Sequence, residues 1–191
     1  ELVMNHGQIL KYDQVVIACH SDQALALLDD PTEEERSALS SIPYQQNDVV
    51  LHTDESLLPR ARRAWSSWNY LLKKRFQERA VLSYDMNILQ GISSKTTFCV
   101  TLNATDLISE NKIIEKFHYS HPVFSLESIS AAERINQLNG TLNTWFAGAY
   151  LGNGFHEDGV KSGLRVAELI NILPNLNKQN NKPKAAASAY A

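Results

Sequence analysis

Near its C-terminal end the chain reads Asn143-Thr-Trp-Phe-Ala-Gly-Ala-Tyr150, then Leu-Gly-Asn-Gly-Phe155, then a long stretch with helical spacing. No other segment restricts the fold as much as this strand, glycine-rich linker and helix. The first turn of a helix leaves about four backbone N–H groups without intrahelical partners, and the macrodipole places roughly half a positive charge there. Glycines let a flat or anionic group approach that end closely. Val160, Leu164, Ala167 and Ile170 follow an apolar progression that predicts a helix from His156 to about Leu173, with Pro174 expected to end it.

The helix opens His156-Glu157-Asp158-Gly159-Val160-Lys161-Ser162-Gly163. Gly159 is expected to bare the backbone of the first turn, and Gly163 to permit close packing one turn on. Glu157 and Asp158 offset part of the dipole, which argues against a bound pyrophosphate. A neutral ring edge that turns anionic only on reduction, such as the N1/C2=O edge of a flavin, suits this end better. On physics alone the pattern describes equally well a plain glycine turn into a helix with acids at its start.

The rest of the chain supplies the setting. Glu1 leads at once into Leu2-Val3-Met4, and Asn5-His6-Gly7-Gln8 predicts the turn of a β-hairpin, so the sequence is expected to be part of something longer. Tyr12 to Cys19 reads as a strand whose unbroken apolar run suggests cover on both faces, as in a parallel α/β sheet. Ser21 is the expected N-cap of a short helix, and Thr32-x-x-Glu35 forms a capping box opening a second, to about Ser41. Five β-like runs follow, at 47–54, 64–72, 79–86, 96–103 and 112–121, and predict one antiparallel sheet. A helix around Ile129–Leu138 is expected to bury Ile129, Ala132, Ile135 and Leu138, with Gly140 stopping it. After Pro174 the chain has too little apolar content to fold, and the tail 174–191 is expected to be disordered.

Several segments together resemble a known family. Trp145 to Ile170 resembles the C-terminal FAD-binding motif of the flavin-containing amine oxidoreductase superfamily, in which a strand ending Phe-Ala-Gly leads to a helix containing Ser-Gly. The sequence is more closely similar to a bacterial family of predicted NAD/FAD-binding proteins related to amine oxidases and phytoene desaturases. The segments that carry the likeness are Gly-Phe-His-Glu-Asp-Gly (154–159), Ser67-Trp68-Asn69-Tyr70, Tyr84-Asp85-Met86-Asn87, Thr101-Leu102-Asn103 and His121-Pro122-Val123-Phe124, in the family's order. The strand Tyr12–Cys19 is similar to the one that closes the family's nucleotide-binding sheet.

The resemblance implies an α/β protein, here an α+β fragment. An antiparallel or mixed substrate-domain sheet with helices occupies 45–140, and the last strand and helix of a Rossmann-like FAD-binding domain occupy 141–173. Residues 1–44 supply that domain's hairpin, strand and connecting helices. It further implies that Gly148, His156, Glu157, Asp158, Gly159 and Val160 lie against the flavin and ribityl chain, with Val3 on the adenine side. Trp68, Asn69 and Tyr70 would form a substrate pocket with Tyr84 and Asp85 behind them, although core aromatics with alternate faces buried are the better account of Trp68 and Tyr70. Hydride would pass from a substrate C–H to the flavin, the substrate being an amine or an apolar molecule. The alternative is a non-catalytic flavin- or lipid-binding scaffold protein. No Gly-x-Gly-x-x-Gly is present in these 191 residues, so the FAD phosphates would depend on an N-terminal half of the same protein, and this chain alone would be inactive. Amine oxidases often place an acid after the Phe-Ala-Gly glycine; Ala149-Tyr150 stand there, leaving Glu157 or Asp158 for the ribityl.

Other readings are weaker. A net charge of −3 creates no field drawing the molecule to nucleic acid or anionic lipid, and no apolar run approaches the length of a membrane span. Arg60, Arg62, Arg63, Lys73, Lys74, Arg75 and Arg79 interleaved with Trp65, Trp68 and Tyr70 read as a charged sheet edge rather than a nucleic-acid surface. His118 and His121, three apart on a strand, point to opposite faces and make no metal pair. Cys19 and Cys99 sit in apolar runs, and two unpaired buried thiols suggest the reducing cytoplasm.

Overall fold

The computed structural model describes residues 1–4, 6–72 and 79–180, with 172–180 described by backbone alone. It is a mixed α/β structure with parallel and antiparallel sheets. The chain forms two compact units: Glu1–Pro43 with Pro122–Ala191, and Tyr44–His121.

The first unit begins with the expected hairpin. β1 (Leu2–Val3) pairs antiparallel with β2 (Ile9–Leu10), and Gly7 takes the positive φ of 80° that its turn needs. β3 (Val15–Ile17) pairs in parallel with β9 (Thr144–Phe146). Gln14 ties the two strands at their entry, accepting from the Trp145 indole N–H at 2.6 Å and donating to Asn143 Oδ1 at 3.2 Å. The predicted cover on both faces is incomplete: Ile17 is buried, but Val16 is 46% exposed.

α1 (Ser21–Leu27) starts one residue earlier than expected, with His20 rather than Ser21 at the N-cap and Gln23 Oε1 accepting from the His20 N–H at 3.2 Å. α2 (Glu33–Ser40) opens with the predicted capping box, Glu35 N–H to Thr32 Oγ1 at 3.1 Å and Thr32 N–H to Glu35 Oε2 at 2.8 Å. α2 packs on α4 (Leu126–Leu138) through Ala38, Leu39, Ala131 and Ile135, all at most 1% exposed. The buried stripe of α4 is Ser128, Ala131, Ala132 and Ile135, so it is rotated from the expected one and leaves Ile129 55% exposed. Gly140 ends the helix with φ 90°, and the Trp145 ring lies where a side chain there would point.

α5 (His156–Asn180) departs from expectation twice. It continues past Pro174, although proline withdraws one i→i−4 donor and disfavours helical dihedrals at the residue before it. Its inward side is Ser162 and Val166, with Leu169 and Ile170 packed on Trp145 and Ala147. Val160 and Leu164, expected to face inward, are 57% and 60% exposed. Of the tail expected to be disordered, residues 181–191 lie outside the described residues.

The second unit is one five-stranded sheet in the order β5-β6-β7-β4-β8. Its strands are β4 (Tyr44–His52), β5 (Trp68–Tyr70), β6 (Leu82–Asp85), β7 (Cys99–Leu102) and β8 (Ile113–Pro122), with α3 (Met86–Gln90) between β6 and β7. The β5–β6, β6–β7 and β4–β7 ladders are antiparallel, as predicted. β8 also runs against β4, since Gln46 bonds Ser120 near one end and the Thr53 N–H bonds the Lys112 carbonyl at the other. The compact units divide at 43/44 and 121/122, so α4 groups with the first unit and not with the expected segment 45–140.

Candidate functional site

The glycine loop and the opening of α5 are organised by one carboxylate. Asp158 Oδ2 accepts from the Phe155 N–H at 3.0 Å and from the Asn153 N–H at 3.1 Å, closing the loop from within the first helical turn. That contact explains Gly152, where a Cβ would lie 2.6 Å from the Asp158 carboxyl. Asp158 is therefore committed to the loop and does not reach outward. Glu157 is exposed and pairs with Lys161 one turn on, at 3.5 Å. The N–H groups of Asp158 and Gly159 both reach the Phe155 carbonyl. Among the described residues no acceptor faces the N–H groups of His156 and Glu157.

The two glycines of the motif differ in what surrounds them. A Cβ on Gly148 would stand 2.5 Å from the buried Tyr150 ring and 3.3 Å from the Cys19 carbonyl, so this residue is small for packing. Gly159 faces Ala149 at ordinary van der Waals distance, 3.8 Å from its nitrogen. Gly163, expected to allow close packing, has nothing within 4 Å among the described residues. Ser162 stitches strand to helix: its hydroxyl accepts from the Gly148 N–H at 2.9 Å and donates to the Gly159 carbonyl at 2.8 Å. Sequence reasoning passed over this residue, although the Ser-Gly pair was in view. Val3, 74% exposed, lies in a groove along β3 whose lining includes no residue of α5.

The remaining expected site residues belong to the second unit, where the ladders sort them onto two faces. Residues directly opposite in a ladder share a face. Trp68, Tyr84, Val100 and Leu51 stand in one row, and Tyr70, Leu82, Leu102 and Val49 in the next. Trp68 meets Tyr84 edge-on at 5.4 Å, and both Trp68 and Tyr70 are about half exposed, at 49% and 57%. On the far side of β4, Phe117 stacks on Tyr119 at 5.7 Å. The opposite face carries Asn69, Ser83, Thr101, Asp85, Cys99 and His52, all at most 8% exposed. The sheet thus buries its polar face, while its apolar face is exposed at Trp68 and Tyr70, half-buried at Leu51, Leu82, Tyr84, Val100 and Leu102, and buried at Val49. Asn69 and Asp85 are separated from the aromatics with which they were grouped: Asn69 holds Ser66 and Ser83 backbone, and Asp85 caps α3 at the Ile88 N–H.

That buried polar face is satisfied from within. The Asp54 N–H donates to His52 Nδ1 at 3.0 Å, which leaves the imidazole proton on Nε2, donated to Thr101 Oγ1 at 2.8 Å. Thr101 and Ser83 hydroxyls bond at 2.7 Å. Burial pulls the His52 pKa down, against the smaller opposing effect of Asp54. Burial would raise the Asp54 carboxyl, but N–H bonds from Ser109 and Ser56 and the Lys112 ammonium outweigh it and hold it well below the usual carboxylate range. Burial, then the charges of Asp85, Glu55 and Asp54, push the Cys99 thiol up to about 12, and burial with Asp22 raises Cys19; neither is a thiolate nucleophile. Both cysteines are free. His118 bonds Asp48 and His121 bonds Asn47, and among the described residues no His, Cys, Asp or Glu cluster suits a metal. Lys73, Lys74 and Arg75 of the basic run lie outside the described residues.

No family model matches the chain, and no curated protein matches it. Solved structures do. A candidate protoporphyrinogen oxidase from Exiguobacterium sp. 255-15 aligns at 14% identity over 88% of this chain and 43% of its own, with a TM-score of 0.49. A CLA-producing fatty acid isomerase from P. acnes aligns at 17% identity over 83% of this chain and 41% of its own, with a TM-score of 0.50. The second likeness establishes a shared fold. This chain spans about two fifths of the length of either protein. Among the described residues no helix is long and apolar enough to cross a membrane.

Proposed function

We propose that this chain is the flavin-ring-side portion of an FAD-dependent oxidoreductase of the amine-oxidase type, acting in the cytoplasm on an apolar substrate. The observation that supports it is the opening of α5. A parallel β3–β9 pair feeds a helix whose acid Asp158 turns back to the loop, while the N–H groups of His156 and Glu157 stay without an acceptor among the described residues. Those two donors, with exposed Val160 beside them, suit the edge of a flavin ring. Gly148 is small for the neighbouring Tyr150 ring, whereas Gly159 has room for a Cβ beside Ala149 and needs no such economy for the chain's own packing. Asp158 being committed, Glu157 is the remaining acid for a ribityl hydroxyl. Once bound, the flavin would accept hydride at N5 from a substrate C–H and pass the electrons to oxygen or another acceptor.

The apolar sheet face around Trp68, Tyr70 and Tyr84 supports a hydrophobic substrate, an amine or an unsaturated lipid-like chain. The shared fold with an enzyme named for fatty acids points the same way. A second reading, a non-catalytic flavin- or lipid-binding protein, draws on the same face, because its polar residues lie on the buried side and offer it no acid or base.

The test is the visible spectrum of the complete gene product, followed anaerobically during titration with a primary amine and with an unsaturated fatty acid. Flavin absorbance that bleaches with either compound supports the enzyme. A flavin that stays oxidised while fatty acid binds supports the second reading. A colourless complete protein sinks both flavin readings. The 191-residue chain alone is expected to retain no FAD through gel filtration.

A further inference from the structure

The five-stranded sheet of the second unit has two unlike edges. β5 is an edge of three residues, whereas β8 is an edge of ten, and every residue from Ile114 to Tyr119 is exposed. The direction of its backbone groups follows from the ladder. The Asn103 N–H bonds the Asp48 carbonyl at 2.8 Å, so the even-numbered residues of β4 turn to β7 and the odd-numbered ones to β8. The side-chain pairs Gln46–Ser120 and Asp48–His118 set these residues opposite one another. By alternation Lys116, His118 and Ser120 turn their N–H and carbonyl groups outward. Among the described residues no strand lies on that side. The Lys116 N–H is met by the exposed carboxylate of its own neighbour, Glu115, at 3.2 Å.

We propose that the outer edge of β8 pairs with β8 of a second copy of this chain, antiparallel about a two-fold axis through His118. In that register His118 faces its own counterpart and exchanges N–H···O bonds with it, as do Lys116 and Ser120 across the axis. The odd-numbered residues pair on the apolar face. Phe117, already stacked on Tyr119 at 5.7 Å, meets the second copy's Tyr119, and Glu115 meets the second copy's His121. Phe117 and Tyr119 are 37% and 50% exposed, so the pairing covers rings that the chain alone leaves partly in water. Charge complementarity favours this occupant. Free edges are ordinarily guarded by charge, and the guards of β8 are an acid and a base in succession, Glu115 and Lys116. Reversed about His118, no carboxylate meets a carboxylate and no ammonium meets an ammonium. The two His118 rings that do face each other each lie 3.0 Å from an Asp48 oxygen. Centres on Lys116 or Phe117 set Lys116 against itself or against His118, and centres on Tyr119 or Ser120 leave Glu115 without an opposite residue in the strand. One strand pair is a small interface, at the low end of those that hold specific complexes, so the dimer forms at micromolar to millimolar concentration.

Sedimentation equilibrium of the 191-residue chain across that concentration range tests the pairing, with amide hydrogen exchange at His118 and Ser120 read on the same samples. The expected result is a monomer–dimer equilibrium in which exchange at both amides slows by about 10-fold or more as dimer accumulates. A chain that stays monomeric throughout overturns the proposal, and so does a dimer in which these amides exchange as fast as in the monomer. His118→Pro removes the central outward donors while leaving the bonds to β4 in place. It should weaken the dimer by about 10-fold or more and leave the melting temperature of the dilute chain within a few degrees. A folded variant that dimerises as before also overturns the proposal. Single cysteines read the register independently of that variant, with Cys19→Ser as background and Cys99 buried. His118→Cys should give a disulfide-linked dimer on mild oxidation, since the Cα atoms of a bonded pair lie about 5.5 Å apart, and Lys116→Cys should not. Any other pattern of linkage assigns the contact to a different register or surface and refutes the pairing.

Discussion

Gly148 and Gly159 belong to one motif, yet a methyl group added at each meets different surroundings. Gly148→Ala would press on the buried Tyr150 ring, at 2.5 Å, and that ring is 4% exposed with nowhere to withdraw. Overpacking of this kind costs about 1–3 kcal/mol. Gly159→Ala meets only Ala149 at contact distance and replaces glycine inside a helix, which favours the fold by about 0.5–1 kcal/mol. Urea unfolding of the two variants should therefore move in opposite directions. If the ring of a flavin rests against Gly159, the same stabilised variant should hold the flavin more weakly, and fluorescence titration of the complete protein would read it. The sequence marked both residues as special because glycine is conspicuous. It did not tell which one is confined by a neighbouring tyrosine and which has room for a side chain, since that neighbour is fixed only in three dimensions.

His52 makes the same point for titration. It is buried neutral, with a pKa below its ordinary 6.5. The unfolded chain therefore binds a proton at His52 before the folded chain does, so stability is complete above about pH 6.5 and falls as pH drops below it. Asp54, held below its ordinary 3.8, adds a further loss at more acidic pH, because protonation there breaks the bonds from Ser109, Ser56 and Lys112. Urea midpoints measured across this range should fall steadily with acid. His52→Gln should lower stability at neutral pH and flatten the upper part of the profile; an unchanged slope would remove His52 as its cause.

At the scale of the element, strand positions were legible because apolar alternation sets them: β5, β6 and β7 fall within the predicted runs, while β4 starts three residues before its run and β8 ends one residue after its own. The face that goes inside was not legible. Trp68, Tyr70, Leu82, Val100 and Leu102 look like core, but Asn69, Ser83, Thr101 and His52 satisfy one another and take the covered side. Hydrogen-bond closure between residues distant in sequence decides this, and periodicity carries no trace of it. Thr101→Val should consequently destabilise the chain by about 1–3 kcal/mol, by stranding the His52 Nε2–H among buried groups. Trp68→Ala should cost less despite the larger side chain removed, as half of that side chain is already in water. Chemical denaturation ranks the two variants. α5 went the same way: its apolar progression was correctly read as a helix, but Val160 and Leu164 face outward while Ser162 and Val166 face in.

For the whole molecule, the first unit is made of two distant stretches of chain and the second is a single insertion between α2 and α4. The Val123 N–H bonds the Pro43 carbonyl at 2.8 Å, so the two points where the insertion leaves and returns are adjacent in space. The sequence suggested the first crossing, where helical spacing gives way to alternation near Gln45. It missed the second, because α4 follows β8 after only a short turn, with no glycine or proline-rich linker beyond Pro122 to mark it. Insertions whose ends meet are tolerated as independent units, since few contacts depend on the chain passing through them. Joining Pro43 to Pro122 through a short glycine linker should thus preserve the α2–α4 core around Leu39 and Ile135 and give one cooperative thermal transition. Ile135→Ala, with a side chain at 0% exposure, would serve as the control. It should lower that transition by an amount corresponding to about 2–5 kcal/mol in the joined chain and in the full chain alike. A joined chain that melts without cooperativity, or in which Ile135→Ala has no effect, would mean that α2 and α4 need the second unit to pack.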